Sequence, residues 1–141
     1  GPNVIIGSNT KIQNNVSIFD GVICKDNVFI GPSVVFTNVM NPRSFIERKE
    51  EFKKTLLEEG CSIGANSTII CGNKVGKFSF VGAGSVVNRD INDFELVVGN
   101  PIRNIGWVNL EGEKLNFSKK KTIESNGKMY NLSNNKVKII E

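Results

Sequence analysis

The 141-residue chain contains no histidine. That excludes any mechanism built on an imidazole base and any metal site ligated by histidine. Cysteine is scarce: Cys24, Cys61 and Cys71 form no CxxC pair, and their odd number and spacing suggest neither a disulfide framework nor a zinc site. They read as small apolar fillers. No apolar run approaches the roughly 20 residues a membrane span needs, and the start shows no basic-then-apolar signal pattern. A soluble, cytoplasmic protein without a membrane span is expected. The length suits one domain with an appendage. Net charge of +4 and a pI near 9.0 suit anionic ligands such as nucleotides, but Lys119, Lys120 and Lys121 supply much of the excess and read as a solvated tail. No nucleic-acid partner is expected.

What the chain has in abundance is rhythm. Stepping by six from Ile6 gives Ile12, Ile18, Cys24, Ile30 and Phe36, all apolar. Four residues after each come Thr10, Val16, Val22, Val28, Val34 and Met40. From Leu57 the count resumes through Ile63, Ile69, Val75, Val81 and Val87, with Cys61, Ser67, Asn73, Ser79, Ser85 and Ile91 at the fourth position. Neither a helix nor plain strand alternation has period six. A short strand and turn per hexad does, each burying one aliphatic side chain in a narrow stacked core. The two blocks predict about four triangular coils, three hexads to a coil.

Phe36 and Leu57 are 21 positions apart, not a multiple of six, so "FTNVMNPRSFIERKEE" resets the frame as an insertion. Directly after it, the four-residue spacing of Phe52 and Leu56 offers a helical turn. The chain opens already inside the rhythm, and the apolar edge of that first coil calls for cover, by a partner or by earlier coils. After Val87 the repeat fades. In the tail, Asn126-Gly127 and Asn134-Asn135 read as tight turns joining "KKTIES", "KMYNLS" and "KVKIIE" into a small β-meander. The division expected is a solenoid over 1–105, with the loop insertion at about 39–56, and a C-terminal β extension over 106–141.

"VFIGPSVVFTNVMNPRSFIERKEEFKKTLLEEGCSIGANSTIICG" and "FVGAGSVVNRDI", continued by "VVGNPIRNIGWV", resemble the hexapeptide-repeat N-acetyltransferases that modify the 3-amino group of nucleotide-linked amino sugars. Nearest in pattern are enzymes acting on UDP-2-acetamido-3-amino-2,3-dideoxy-D-glucuronate; those acting on dTDP-3-amino-3,6-dideoxyhexoses come next. The resemblance runs from about Asn3 to Val108. It implies an all-β fold, a left-handed parallel β-helix, which departs from the usual right-handed crossover. It also implies acetyl-CoA as co-substrate, no metal, a UDP- or dTDP-linked amino sugar as acceptor, and a homotrimer with active sites between subunits, serving surface polysaccharide such as lipopolysaccharide O-antigen. A non-catalytic solenoid subunit is the reading from another class.

The family match assigns Asn38 to positioning the reacting amine; as residue chemistry alone, Asn38 is equally a turn residue leaving the coil. On the acceptor side the resemblance adds Lys11, Gln13, Asn14, Asp20, Asn41, Arg43 and Glu47. Arg43 and Lys11 offer cations for pyrophosphate or a sugar carboxylate, and Asp20 and Glu47 offer acids for the amine. Surface charge and an asparagine ladder explain the same residues. For the coenzyme, the resemblance points to Gly64 and Ala65, Ala83 and Gly84, then Asn100 and Arg103 in "GNPIRNIG". The glycines also fit plain turn geometry. With no imidazole, an unprotonated amine would attack the thioester directly, because positioning can supply about 7–11 kcal/mol and a general base only about 10²–10⁴-fold.

Overall fold

The computed structural model describes residues 3–48 and 53–141. Short parallel strands stack into a prism with three faces. The first face holds β1 (Ile5–Ile6), β3 (Val22–Cys24), β6 (Thr55–Leu57) and β9 (Lys74–Val75). The second stacks β2 (Lys11–Ile12), β4 (Phe29–Ile30), β7 (Ser62–Ile63), β10 (Phe80–Val81) and β12 (Glu95–Val98). The third holds β5 (Val35–Phe36), β8 (Thr68–Ile69) and β11 (Val86–Val87). Partners stand 18 positions apart, as in Ile5 with Ile23, Ser62 with Phe80 and Thr68 with Val86, which is three hexads to a coil; the interval falls to 16 only at the last level, Phe80 with Leu96. Across the insertion the interval grows to 33, as in Val35 with Thr68, yet the register on all three faces is kept. The frame reset therefore leaves the stack unbroken.

Each hexad's aliphatic residue points inward. Cys24, Ile30, Phe36, Leu57, Ile63, Ile69, Val75, Val81 and Val87 form one continuous buried column, each fully covered side chain being worth about 1.5–3 kcal/mol. The first coil is less covered: Ile12 and Ile18 are partly buried and Ile6 is 47% exposed. At the fourth position, Ser79 and Ser85 are buried because each hydroxyl donates to the carbonyl three residues back, Gly76 at 2.7 Å and Gly82 at 2.6 Å. Coils close by a left-handed residue at each corner, as at Asn9, Asn15, Asn27, Ser33 and Asn66 (φ 55–62°). Asparagine tolerates that conformation better than most side chains. Gly76 answers a different need: a Cβ there would lie 2.5 Å from the Asn92 carbonyl carbon of the next coil.

The insertion leaves the third face after Phe36 and rejoins the first at Thr55, so Thr55 and Leu56, expected within the loop, belong to the next coil. Its mouth is pinned by Lys53 N donating to Asn38 O at 3.0 Å and Thr55 N donating to Gly21 O at 2.8 Å. Leu56 is strand, and Phe52, its expected helical partner, lies outside the described residues. After β12 the chain reverses through the cis Asn100–Pro101 bond into antiparallel β13 (Arg103–Val108) and β14 (Lys114–Leu115). An antiparallel meander follows, of β15 (Thr122–Ser125), β16 (Lys128–Ser133) and β17 (Lys136–Ile140), turning at Asn126-Gly127 and Asn134-Asn135, all four at positive φ. A second core of Phe94, Leu115, Phe117, Tyr130 and Val137 docks it on the solenoid.

Candidate functional site

The expected residues fall along two edges of the third face. One edge, where the second face turns into the third, carries Gln13 and Asn14, then Gly64 and Ala65, Ala83 and Gly84, and Asn100 at successive levels. Backbone bonds run along it: Gln13 N to Ile30 O (3.0 Å), Gly64 N to Val81 O (2.8 Å) and Gly84 N to Ala65 O (2.8 Å). These small or polar residues make a shallow, partly exposed track parallel to the stack. Turn geometry accounts for Gly84 (φ 72°), but not for Gly64, whose φ is not positive. A Cβ at Gly64 would sit 2.5 Å from Ala83 N, so coil stacking is what requires glycine there. Gly99 N donates to Ser85 Oγ at 3.1 Å, and the Arg103 guanidinium lies over Gly99 at the end of the track.

The other edge, where the third face returns to the first, carries Asp20 and the insertion with Asn38, Asn41, Arg43 and Glu47. A cavity of about 320 Å³ opens there, lined by Thr37, Asn38, Val39, Met40, Pro42 and Ile70. Thr37 Oγ1 accepts from Cys71 N at 3.0 Å, which fixes the strand end that presents Asn38. Beyond the cavity the loop folds into a hairpin tip, Ile46 N donating to Arg43 O at 3.1 Å around Ser44 and Phe45. Asp20 is held toward the first coil, accepting from Asn3 N and Nδ2 at 3.5 Å. Lys11 stands apart from both edges, on the second face beside Phe29.

Sequence reasoning singled out Asn38 without the other walls around it, Thr37 and the apolar Val39, Met40, Pro42 and Ile70. Ile70 comes from the following coil, 32 positions on, and no local pattern links it to the loop. It also missed a polar knot that closes the solenoid. Glu95, 4% exposed, accepts from Arg89 Nη2 and Asn104 Nδ2 at 3.0 Å, from Asn92 N at 2.9 Å and from Arg89 Nη1 at 3.2 Å. Burial alone would raise its pKa; the hydrogen bonds from Arg89, Asn104 and Asn92, with the Arg89 charge, outweigh it and hold the carboxyl below its ordinary value. Among the described residues no group of three His, Cys, Asp or Glu side chains is arranged to hold a metal ion, and no helix is long and apolar enough to cross a membrane.

Over 81 residues the chain is 47% identical to a dTDP-3-amino-3,6-dideoxy-α-D-galactopyranose 3-N-acetyltransferase of Aneurinibacillus thermoaerophilus, covering 57% of this chain and 42% of that protein. A hexapeptide-repeat containing acetyltransferase from Vibrio cholerae O1 biovar eltor, complexed with acetyl coenzyme A, superposes with a TM-score of 0.65 at 32% identity, covering 77% of this chain and 62% of that one. A galactoside acetyltransferase in complex with coenzyme A gives a TM-score of 0.63 at 28% identity, covering 89% and 64%. No protein-family model matches the chain. The chain spans about half the length of the first curated relatives it matches, 42%, 55% and 51%. The repeat, the three-faced parallel stack and these likenesses agree on the fold: the chain is a left-handed parallel β-helix of hexapeptide repeats, similar to the hexapeptide-repeat acetyltransferases.

Proposed function

We propose that the protein transfers an acetyl group from acetyl-CoA to the 3-amino group of a nucleotide-linked amino sugar. The observation that carries this reading is Asn38 at the wall of the 320 Å³ cavity where the insertion leaves the stack. There its side chain orients an amine by a hydrogen bond. The track of Gly64, Ala65, Ala83, Gly84 and Asn100, ending at Arg103, suits an extended thioester arm with phosphates at its end. The unprotonated amine attacks the thioester carbon, a backbone N–H steadies the oxyanion, the C–S bond breaks, and the departing thiolate takes the proton the new amide sheds. Asn41, Arg43, Glu47, Asp20, Lys11, Gln13 and Asn14 serve sugar and nucleotide binding in this reading.

The cavity and the track flank opposite edges of the third face, so a site that joins them draws one from each of two copies. Exposed apolar residues between and around them, Val35, Met40, Phe45 and Ile46, support such an interface, and a homotrimer supplies three. The acceptor divides two ways. Among the described residues the cavity wall holds no cation for a C6 carboxylate, and the likeness to the Aneurinibacillus enzyme points the same way. Both favour a dTDP-linked 3-amino-3,6-dideoxyhexose over the UDP-linked glucuronate; either serves surface-polysaccharide synthesis in the cytoplasm. A thiol-release assay with acetyl-CoA and each acceptor decides it. Turnover with the dTDP sugar supports the reading, preference for the glucuronate reverses the substrate assignment, and no turnover with either leaves the non-catalytic subunit.

A further inference from the structure

A second cleft lies between the solenoid and the meander, with a volume of about 380 Å³. From the solenoid come Lys74, Asn92 and Asp93; from the meander come Asn131, Ser133, Lys136 and Lys138. The register explains the second group. Asn131 stands opposite Lys138 and Ser133 opposite Lys136, and Lys136 and Lys138 alternate with buried Val137, so the four polar side chains share one face of the β16–β17 hairpin.

The two walls are fixed relative to each other. Phe94, next to Asp93, packs edge-on against Tyr130, next to Asn131, at 5.7 Å between ring centroids, and stacks on Phe78 at 5.7 Å. Ser133 Oγ donates to Asn131 Oδ1 at 2.9 Å, and Asn131 Nδ2 donates to Thr122 Oγ1 at 3.1 Å, so the amide is oriented as well. None of the three ammonium groups makes a salt bridge among the described residues. The Asp93 carboxylate is engaged by Lys77 N at 2.8 Å. Three like charges held around one concavity repel one another, and the single carboxylate leaves the cleft with two positive charges in excess.

We propose that this cleft is a binding site for a small phosphorylated dianion, separate from the acetyl-transfer site and independent of that reading. The two positive charges in excess match the charge of a phosphoryl dianion, which lysine ammonium groups bind as compact point charges. Its place is the corner between the first and second faces, away from the edge that carries Gly64 and Ala83. Occupation bridges meander and solenoid and so stabilises the folded chain.

The test is a thermal-shift titration with inorganic phosphate and with pyrophosphate, ionic strength being held constant with sodium chloride. The expected result is a saturable rise in Tm of a few degrees. Lys136→Ala/Lys138→Ala should weaken the apparent affinity at least tenfold. Lys119→Ala/Lys121→Ala, which removes equal charge outside the cleft, should leave it unchanged. An absent or non-saturating shift, or an equal loss in both double variants, would overturn the proposal. A citrate titration that matches the phosphates would overturn the phosphoryl assignment.

Discussion

Gly76 and Asn38 illustrate two opposite demands on single residues. At Gly76 the next coil's backbone passes so close that a methyl group would overlap Asn92 and Asp93, and the overlap is with backbone rather than a movable side chain. Gly76→Ala should therefore destabilise the fold by about 1–3 kcal/mol, read as a lower midpoint in urea. Asn38 is half-buried and borders open space. In the proposed reaction its removal misplaces the amine, and Asn38→Ala should lower kcat/KM by about 10²-fold with little change in the urea midpoint. Unchanged kcat/KM would remove Asn38 from the mechanism. The cysteines make a third case. Burial pushes the Cys24 thiol up to about 11, and burial, then the neighbouring Cys24, raises Cys61 as well. Reaction of the native protein with a disulfide reagent near pH 8 should be slow at both, because the thiolate is the nucleophile, and fast once the chain is unfolded.

At the scale of elements, the closing knot around Glu95 governs how the last coil holds β13. Its carboxyl is lowered in the folded chain, so the ionised form is favoured by folding. The resulting stability is fully present above the ordinary carboxyl value of 4.5 and is lost as pH falls through the folded value. Glu95→Gln keeps the shape, removes the charge, and should flatten the acid limb of a stability-against-pH curve. It should also cost about 1–3 kcal/mol at neutral pH, through the weakened bonds from Arg89 and Asn104. An acid limb as steep as that of the parent protein would assign the acid sensitivity to other carboxylates. The same element pair continues into β14, so the passage from solenoid to extension is a continuous sheet through residues 105 and 106.

For the molecule as a whole, the insertion's hairpin tip is the outstanding exposed feature, with Phe45 at 82%. A tip of that character is shielded by another surface in the proposed assembly. Sedimentation of the protein should give a trimer, and Phe45→Asp with Ile46→Asp should weaken association at least tenfold. A clean monomer at working concentrations would leave the cavity and the track unjoined.

The sequence by itself determined the scaffold. Period six, one aliphatic per hexad and a frame reset are local signals that survive because each coil repeats the same contact with its neighbour, so position in the count is position in the core. The meander was legible for a similar reason, since Asn126-Gly127 and Asn134-Asn135 set both turn and register. What only the tertiary structure decided lies between coils and between elements. It placed Ile70 against the insertion, gave Gly64 a stacking role rather than a turn role, gathered Arg89, Asn92 and Asn104 on Glu95, and set Lys74 across a cleft from Lys136 and Lys138. Apart from Gly64, which meets the equivalent level of the next coil, these are contacts between residues whose spacing follows no repeat, set by where one coil or hairpin comes to rest on another, and a one-dimensional count carries no record of that.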